Sequence, residues 1–207
     1  MTSLRRRSFL VALFFLFFSE GFAARGALAD DASAPFGLTW GMSAADAEKI
    51  GVALTPLPNA TGYGTTYSAT NLPKILSDTE TCFLSFGYGD RLARIVAGGK
   101  EVKNDPYGSA VVGRYIELAK NLGELYGKGK ETDRRDTEIW KAPSEYVASL
   151  KNGRAKRFTD FANENARVQI MIAASSSDEA RYVIFFESIA EMKKLDEAKK
   201  AKEKEAL

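Results

Sequence analysis

Residues 81–97 read TCFLSFGYGDRLARIVA. Leu84 and Phe86 alternate with Ser85 and Gly87, the period of a strand with one buried face. Gly89-Asp90 stands between the runs 81–88 and 91–97 and is a two-residue turn signal with Gly first. The stretch is therefore a β-hairpin, and an antiparallel sheet is the element around which the rest must be arranged.

Working toward the C-terminus, Asp105-Pro106 opens a helix, with Asp105 as N-cap and Pro106 at the first helical position. Val111, Val112, Tyr115, Leu118, Ala119, Leu122 and Leu125 recur at helical spacing, and Gly127 closes the element. This is an amphipathic helix made to lie on a sheet. The connection GKGKETDRRD (127–136) reads as a solvated loop, because its basic residues Lys128, Lys130, Arg134 and Arg135 are interrupted by acids. A short helix follows at 144–151, then strands at 155–162, 166–174 and 180–187. Residues 189–207 are Lys/Glu/Ala-rich and helix-prone, with Ile189, Met192 and Leu195 as the docking stripe.

Toward the N-terminus, Tyr63, Thr65, Thr66 and Tyr67 suggest another strand. The string FGLTWGMS (36–43) is the most distinctive in the chain. In it Ser43 is placed to N-cap a helix at 44–50, with Asp46 at N3 and Gly51 just past the end. Strands in runs, separated by helices, define an α+β class with an antiparallel sheet and one long amphipathic helix packed on it. The domain expected at 36–188 divides into two helix-plus-strands halves, 36–103 and 104–188. No fixed-period repeat accompanies that division.

The first residues read as a cleavable export signal. Arg5, Arg6 and Arg7 precede an apolar run from Phe9 to Phe18, and Ala27-Leu28-Ala29 has the small-x-small cleavage pattern. A ten-residue apolar run is short of the roughly 20 residues that cross a bilayer as a helix. Arg6-Arg7-Ser8-Phe9-Leu10 also resembles a twin-arginine signal. The expected segments are a signal at 1–29, a lead-in at 30–35, the domain, and a charged tail at 189–207. The full chain of 207 residues carries a formal charge of +2. Residues 1–29 hold four Arg and one Glu, so the exported chain has 25 basic and 26 acidic residues and a net charge of −1. No general nucleic-acid or anionic-membrane footprint remains.

The string FGLTWGMSAADAEKIG, the hairpin FLSFGYGDRLARIV and the helix end LAKNLGELYGK occur in that order. In this the chain resembles a group of uncharacterised bacterial secreted proteins that open with a Phe-Gly-Leu-x-Trp-Gly-Met-Ser turn. In plan it is similar to β-lactamase-inhibitor-like domains and the small outer-membrane assembly lipoprotein, although it has no lipobox Cys. The resemblance implies an exported interaction or binding module, and it brings no catalytic residues.

Composition narrows the chemistry. The chain has no His and one Cys, which excludes His-based triads, His-ligated metals, an internal disulfide, a four-Cys zinc site and an iron–sulfur cluster. Gly62-Tyr63-Gly64 and Gly87-Tyr88-Gly89 lack the final Gly of a dinucleotide loop, and there is no G-x-x-x-x-G-K-[ST], G-x-S-x-G or Ser-x-x-Lys. No cofactor, metal or catalytic residue is expected, and Cys82 reads as a buried, inert thiol. The candidate surface is aromatic: Tyr63, Tyr67, Phe83 and Tyr88 on the first strands, with Trp40, Tyr115 and Trp140. Three functions stay open. The first is a non-enzymatic binding protein that meets a protein or envelope component through its sheet. The second is a small-ligand pocket between helix and sheet, lined by Trp40, Tyr115 and Trp140. The third is a glycan hydrolase that uses carboxylates alone.

Overall fold

The structure, a computed structural model, describes residues 33–58, 64–136 and 142–205. Its centre is one antiparallel sheet of eight strands: β1 (Ala53–Pro56), β2 (Thr65–Thr70), β3 (Thr79–Phe86), β4 (Leu92–Gly99), β5 (Lys130–Arg135), β6 (Ala155–Ala162), β7 (Ala166–Ala174) and β8 (Ala180–Ser188). The spatial order is β1-β2-β3-β4-β8-β7-β6-β5. Two four-stranded meanders thus meet at their last strands, with Val96 of β4 opposite Phe185 of β8.

The hairpin of 81–97 forms β3 and β4, but its tip is longer than a two-residue turn. Gly87 N–H bonds the Arg91 carbonyl at 2.7 Å, leaving Tyr88, Gly89 and Asp90 between them. Both Gly89 (φ 68°) and Asp90 (φ 56°) are left-handed. A register shift between Ser85 and Phe86 places Phe86 across from Leu92, so Ala93 is the extra residue of a bulge.

The segment read as a solvated loop is a strand in part. Lys130–Arg135 pairs along its length with β6 and forms one edge of the sheet. Five of its six residues are charged, which hid it from an alternation test and also discourages a further chain from pairing there. The other edge, β1, ends in Pro56, which has no N–H to offer.

One face of the sheet is covered. Helix α1 (Ala44–Lys49) reaches β1, while α2 (Ser109–Tyr126) and α3 (Tyr146–Lys151) pack on β6 and β7. Val111, Tyr115, Leu118 and Leu122 of α2 join Val168, Ile170, Ile184 and Phe186 in the core. Leu125 leaves that stripe and is 74% exposed. The α2 helix starts at Ser109, three residues after Pro106. Asp105 nonetheless caps it, because its carboxylate accepts from the N–H groups of Ser109 (2.8 Å) and Ala110 (2.9 Å). Those N–H groups have no partner within the helix, and a negative charge suits that end.

Helix α4 (Ile189–Glu205) leaves directly from β8 and touches β4 and β8. Leu195 of the expected stripe is buried, as is Glu191, whereas Ile189 and Met192 are half-buried. A Cβ on Gly41 would lie 3.1 Å from Glu191 Oε1, so the first turn of α4 sits beside the aromatic-glycine turn.

That turn is tight because Phe36 (φ 63°), Gly37 (φ 77°) and Gly41 (φ 76°) are left-handed. Ser43 then caps α1 as expected, its Oγ accepting from Asp46 N–H at 3.1 Å. Lys49, at 2.7 Å, and Ser43 hold the Asp46 carboxyl down to about 2. Replacing Ser43 with Ala is expected to cost about 1 kcal/mol of stability, measurable as a lower urea midpoint at unchanged m-value.

Candidate functional site: the open face of the sheet

Cross-strand partners share a face, so the register sorts every side chain. One row on the face opposite α2 and α3 runs Ser68, Phe83, Val96, Phe185, Gln169, Asp160. The next row runs Gly98, Val183, Met171, Phe158, Thr132. Together they place Phe83, Val96, Phe185, Val183, Met171 and Phe158 side by side across β3, β4, β8, β7 and β6. All six are half-buried, and none belongs to the core that α2 and α3 cover.

Polar rows border this patch. On one side Ser85, Arg94, Glu187 and Arg167 line up. The Arg94 guanidinium lies 5.0 Å from the centre of the Phe185 ring, and its Nε is 3.4 Å from Glu187. On the other side lie Arg181, Ala173, Lys156 and Arg134. At the β6 end Gln169 Nε2 donates to Asp160 at 2.6 Å, and burial raises the Asp160 carboxyl above its ordinary range.

Among the described aromatic candidates, Phe83 alone stands in this patch. Trp40 is buried in the core at 9% exposure and Tyr115 at 1%. The hydroxyl of Tyr115 meets Thr159 at 2.6 Å. These two therefore offer no exposed aromatic surface. Tyr67 is paired with Leu84 on the covered face, its ring 5.6 Å from that of Phe86. Tyr88 is exposed at the hairpin tip. Tyr63 and Trp140 lie outside the described residues.

The residues that reasoning from aromatic type missed are Val96, Phe158, Met171, Val183 and Phe185. A signal for them was present. Residues 182–186 (YVIFF) are apolar at every position, where an antiparallel strand with one wet face should alternate.

A cavity of about 190 Å³ does lie between α2 and the sheet, over Val102, Val111 and Tyr182. Asp78 and Arg114 of its rim engage each other. Arg114 Nε and Nη2 donate to Asp78, both at 2.8 Å, and Tyr182 Oη donates to Asp78 at 3.1 Å. Arg114 holds the Asp78 carboxyl below its usual range, and Ser175 with Arg181 does the same for Glu101. Neither acid is poised to give up a proton near neutrality, as a glycosidase acid must be.

Because the folded state lowers the Asp78 pKa, its stabilising contribution is present above the ordinary carboxylate range. It is lost as pH falls from that range through the lowered folded-state pKa. Asp78→Asn should destabilise by about 1–2 kcal/mol at neutral pH, and the gap to the unmodified protein should close on acidification. Thermal unfolding across pH measures this.

Cys82 is buried, and burial pushes its thiol up to about 12. Among the described residues no group of His, Cys, Asp and Glu is placed to hold a metal ion, and no helix is long and apolar enough to cross a membrane. Comparison with protein-family models, curated proteins and solved structures returns no match.

Proposed function

We propose that this is an exported binding protein of the bacterial envelope that holds a partner protein on the open face of its sheet and performs no catalysis. The observation that carries this reading is the contiguous apolar patch centred on Val96 and Phe185, on the face that α2 and α3 leave uncovered. An apolar patch rimmed by charges is the usual mark of a protein contact site. The reading of residues 1–29 as an export signal and the resemblance to small secreted modules point the same way. The cavity beside α2 supports a ligand site less well, since its Asp78 and Arg114 already engage each other and Glu101 is paired with Arg181.

The test is capture from an envelope extract, using the chain from Asp30 onward as bait and quantitative mass spectrometry as readout. Three baits are compared: the unmodified chain, Phe83→Asp/Phe185→Asp, and a control pair on the solvent side of α2, Ile116→Asp/Leu125→Asp. Circular dichroism checks that each is folded, and Phe185→Ser serves as a milder face variant. The expected result is a discrete protein retained by the unmodified and control baits and reduced at least tenfold by the face variants, a loss of the size that one hot-spot residue carries. Equal retention by all baits, or none by any, would contradict the reading.

A further inference from the structure

We propose that the cavity between α2 and the sheet holds a small organic anion, a single aromatic ring bearing a carboxylate that Lys100 binds. The site is separate from the open face, because Tyr182 and α2 place it on the covered side of the sheet. Its walls are preformed. The Lys100 N–H donates to the Asp78 carbonyl at 2.7 Å, and Val102 exchanges N–H···O bonds with Ala180 at 2.8 and 3.0 Å. Val111 lies in the first turn of α2, and Tyr182 is fixed through its hydroxyl to Asp78. Val102, Val111 and Tyr182 make an apolar floor over a space of about 190 Å³. That is more than the roughly 150 Å³ that admits benzene and less than the pockets of about 300–1,000 Å³ that take larger ligands. One ring with one substituent fits, whereas a nucleotide or an oligosaccharide does not.

The rim selects the sign of the charge. Asp78 accepts from two nitrogens of Arg114 and from Tyr182. Glu101 accepts from Ser175 and, at 3.1 Å, from Arg181. Lys103 is engaged by Glu179 at 3.6 Å. Glu117 and Glu80 also approach Arg114 and Arg181, but their side chains are more than half exposed, where water and salt screen them. Lys100 lines the same cavity, is exposed, and has no side-chain partner among the described residues. A carboxylate whose ring rests on Val102, Val111 and Tyr182 meets that ammonium in a charge-assisted hydrogen bond. A cationic ring would have to draw Asp78 from Arg114 or Glu101 from Arg181, and a neutral ring would leave Lys100 unused.

The chain from Asp30 onward, which holds every described residue, is labelled with nitrogen-15 and titrated with benzoate, benzamide and benzylamine by NMR. Benzoate is expected to shift the amides of Val102, Val111 and Tyr182 saturably, with a Kd at or below about 1 mM, a strength open to a one-ring ligand. Benzamide and benzylamine should bind at least tenfold more weakly, the loss that follows removal of a charged hydrogen-bond partner.

Lys100→Gln should weaken benzoate at least tenfold, Lys100→Arg should largely keep it, and Lys120→Gln on the exposed side of α2 should change nothing. Position 100 is exposed, so these variants should fold, and their spectra without ligand check it. No saturable shift at Val102, Val111 and Tyr182, benzamide binding as tightly as benzoate, or an unchanged affinity in Lys100→Gln would overturn the proposal. Tighter binding of benzylamine would overturn it as well, by assigning recognition to Asp78 and Glu101.

Discussion

Truncating Phe186 to Ala is expected to cost the fold about 3–5 kcal/mol, the range for removing a buried Phe side chain. Phe186 is 4% exposed and lies on β8, flanked by Ile95 of β4 and Val168 of β7. Its ring meets Phe36 edge-on at 5.8 Å and Tyr126, the last residue of α2, at 6.3 Å. One side chain therefore ties the aromatic-glycine turn, the end of the long helix and the seam between the meanders. The cavity left behind could collapse little, because its walls belong to different elements held by their own hydrogen bonds. Urea unfolding measures the loss, and a cost below about 1 kcal/mol would show that this contact does not hold the halves together.

Gly99→Ala should cost about 2–3 kcal/mol, the upper part of the range for forcing atoms into a packed interior. A Cβ at position 99 would sit 2.2–2.5 Å from three carbons of the Tyr182 ring. That ring cannot easily yield. It is 2% exposed, its hydroxyl bonds Asp78, and the Arg114 guanidinium lies 6.0 Å from the ring centre. The informative contrast is Gly113→Ala in α2, where a Cβ meets nothing within 4 Å. There the helix propensity of Ala should raise stability by about 0.5–1 kcal/mol. The two substitutions are chemically identical and should shift the unfolding temperature in opposite directions.

Much of this architecture was legible in the chain. Leu84 and Phe86 announced β3, the spacing of Val111, Tyr115, Leu118 and Leu122 announced α2, and Ser43 marked the start of α1. β5 was not legible, since KETDRR has no apolar alternation and is held as a strand by pairing with β6. Local sequence carries no record of that partner.

The apolar patch was hidden for a related reason. Parity along one strand says which residues share a side, but only register across strands shows that Phe83, Val96, Phe185 and Met171 are neighbours. Ranking residues by aromatic character instead selected Trp40 and Tyr115, whose size sends them into the core. The extra residue at Ala93 also shifts the parity of β4 against β3, and no turn signal foretells it.

The central claim concerns which face of the molecule meets its partner, so the most direct measurement is site-specific photocrosslinking in intact cells that express the protein. Benzoylphenylalanine is placed at Phe158 or Val183 on the open face, and at Leu125 on the solvent side of α2. The account predicts a discrete higher-mass adduct from positions 158 and 183 and none from 125. Adducts from Leu125 alone, or no adduct from either open-face position, would contradict it.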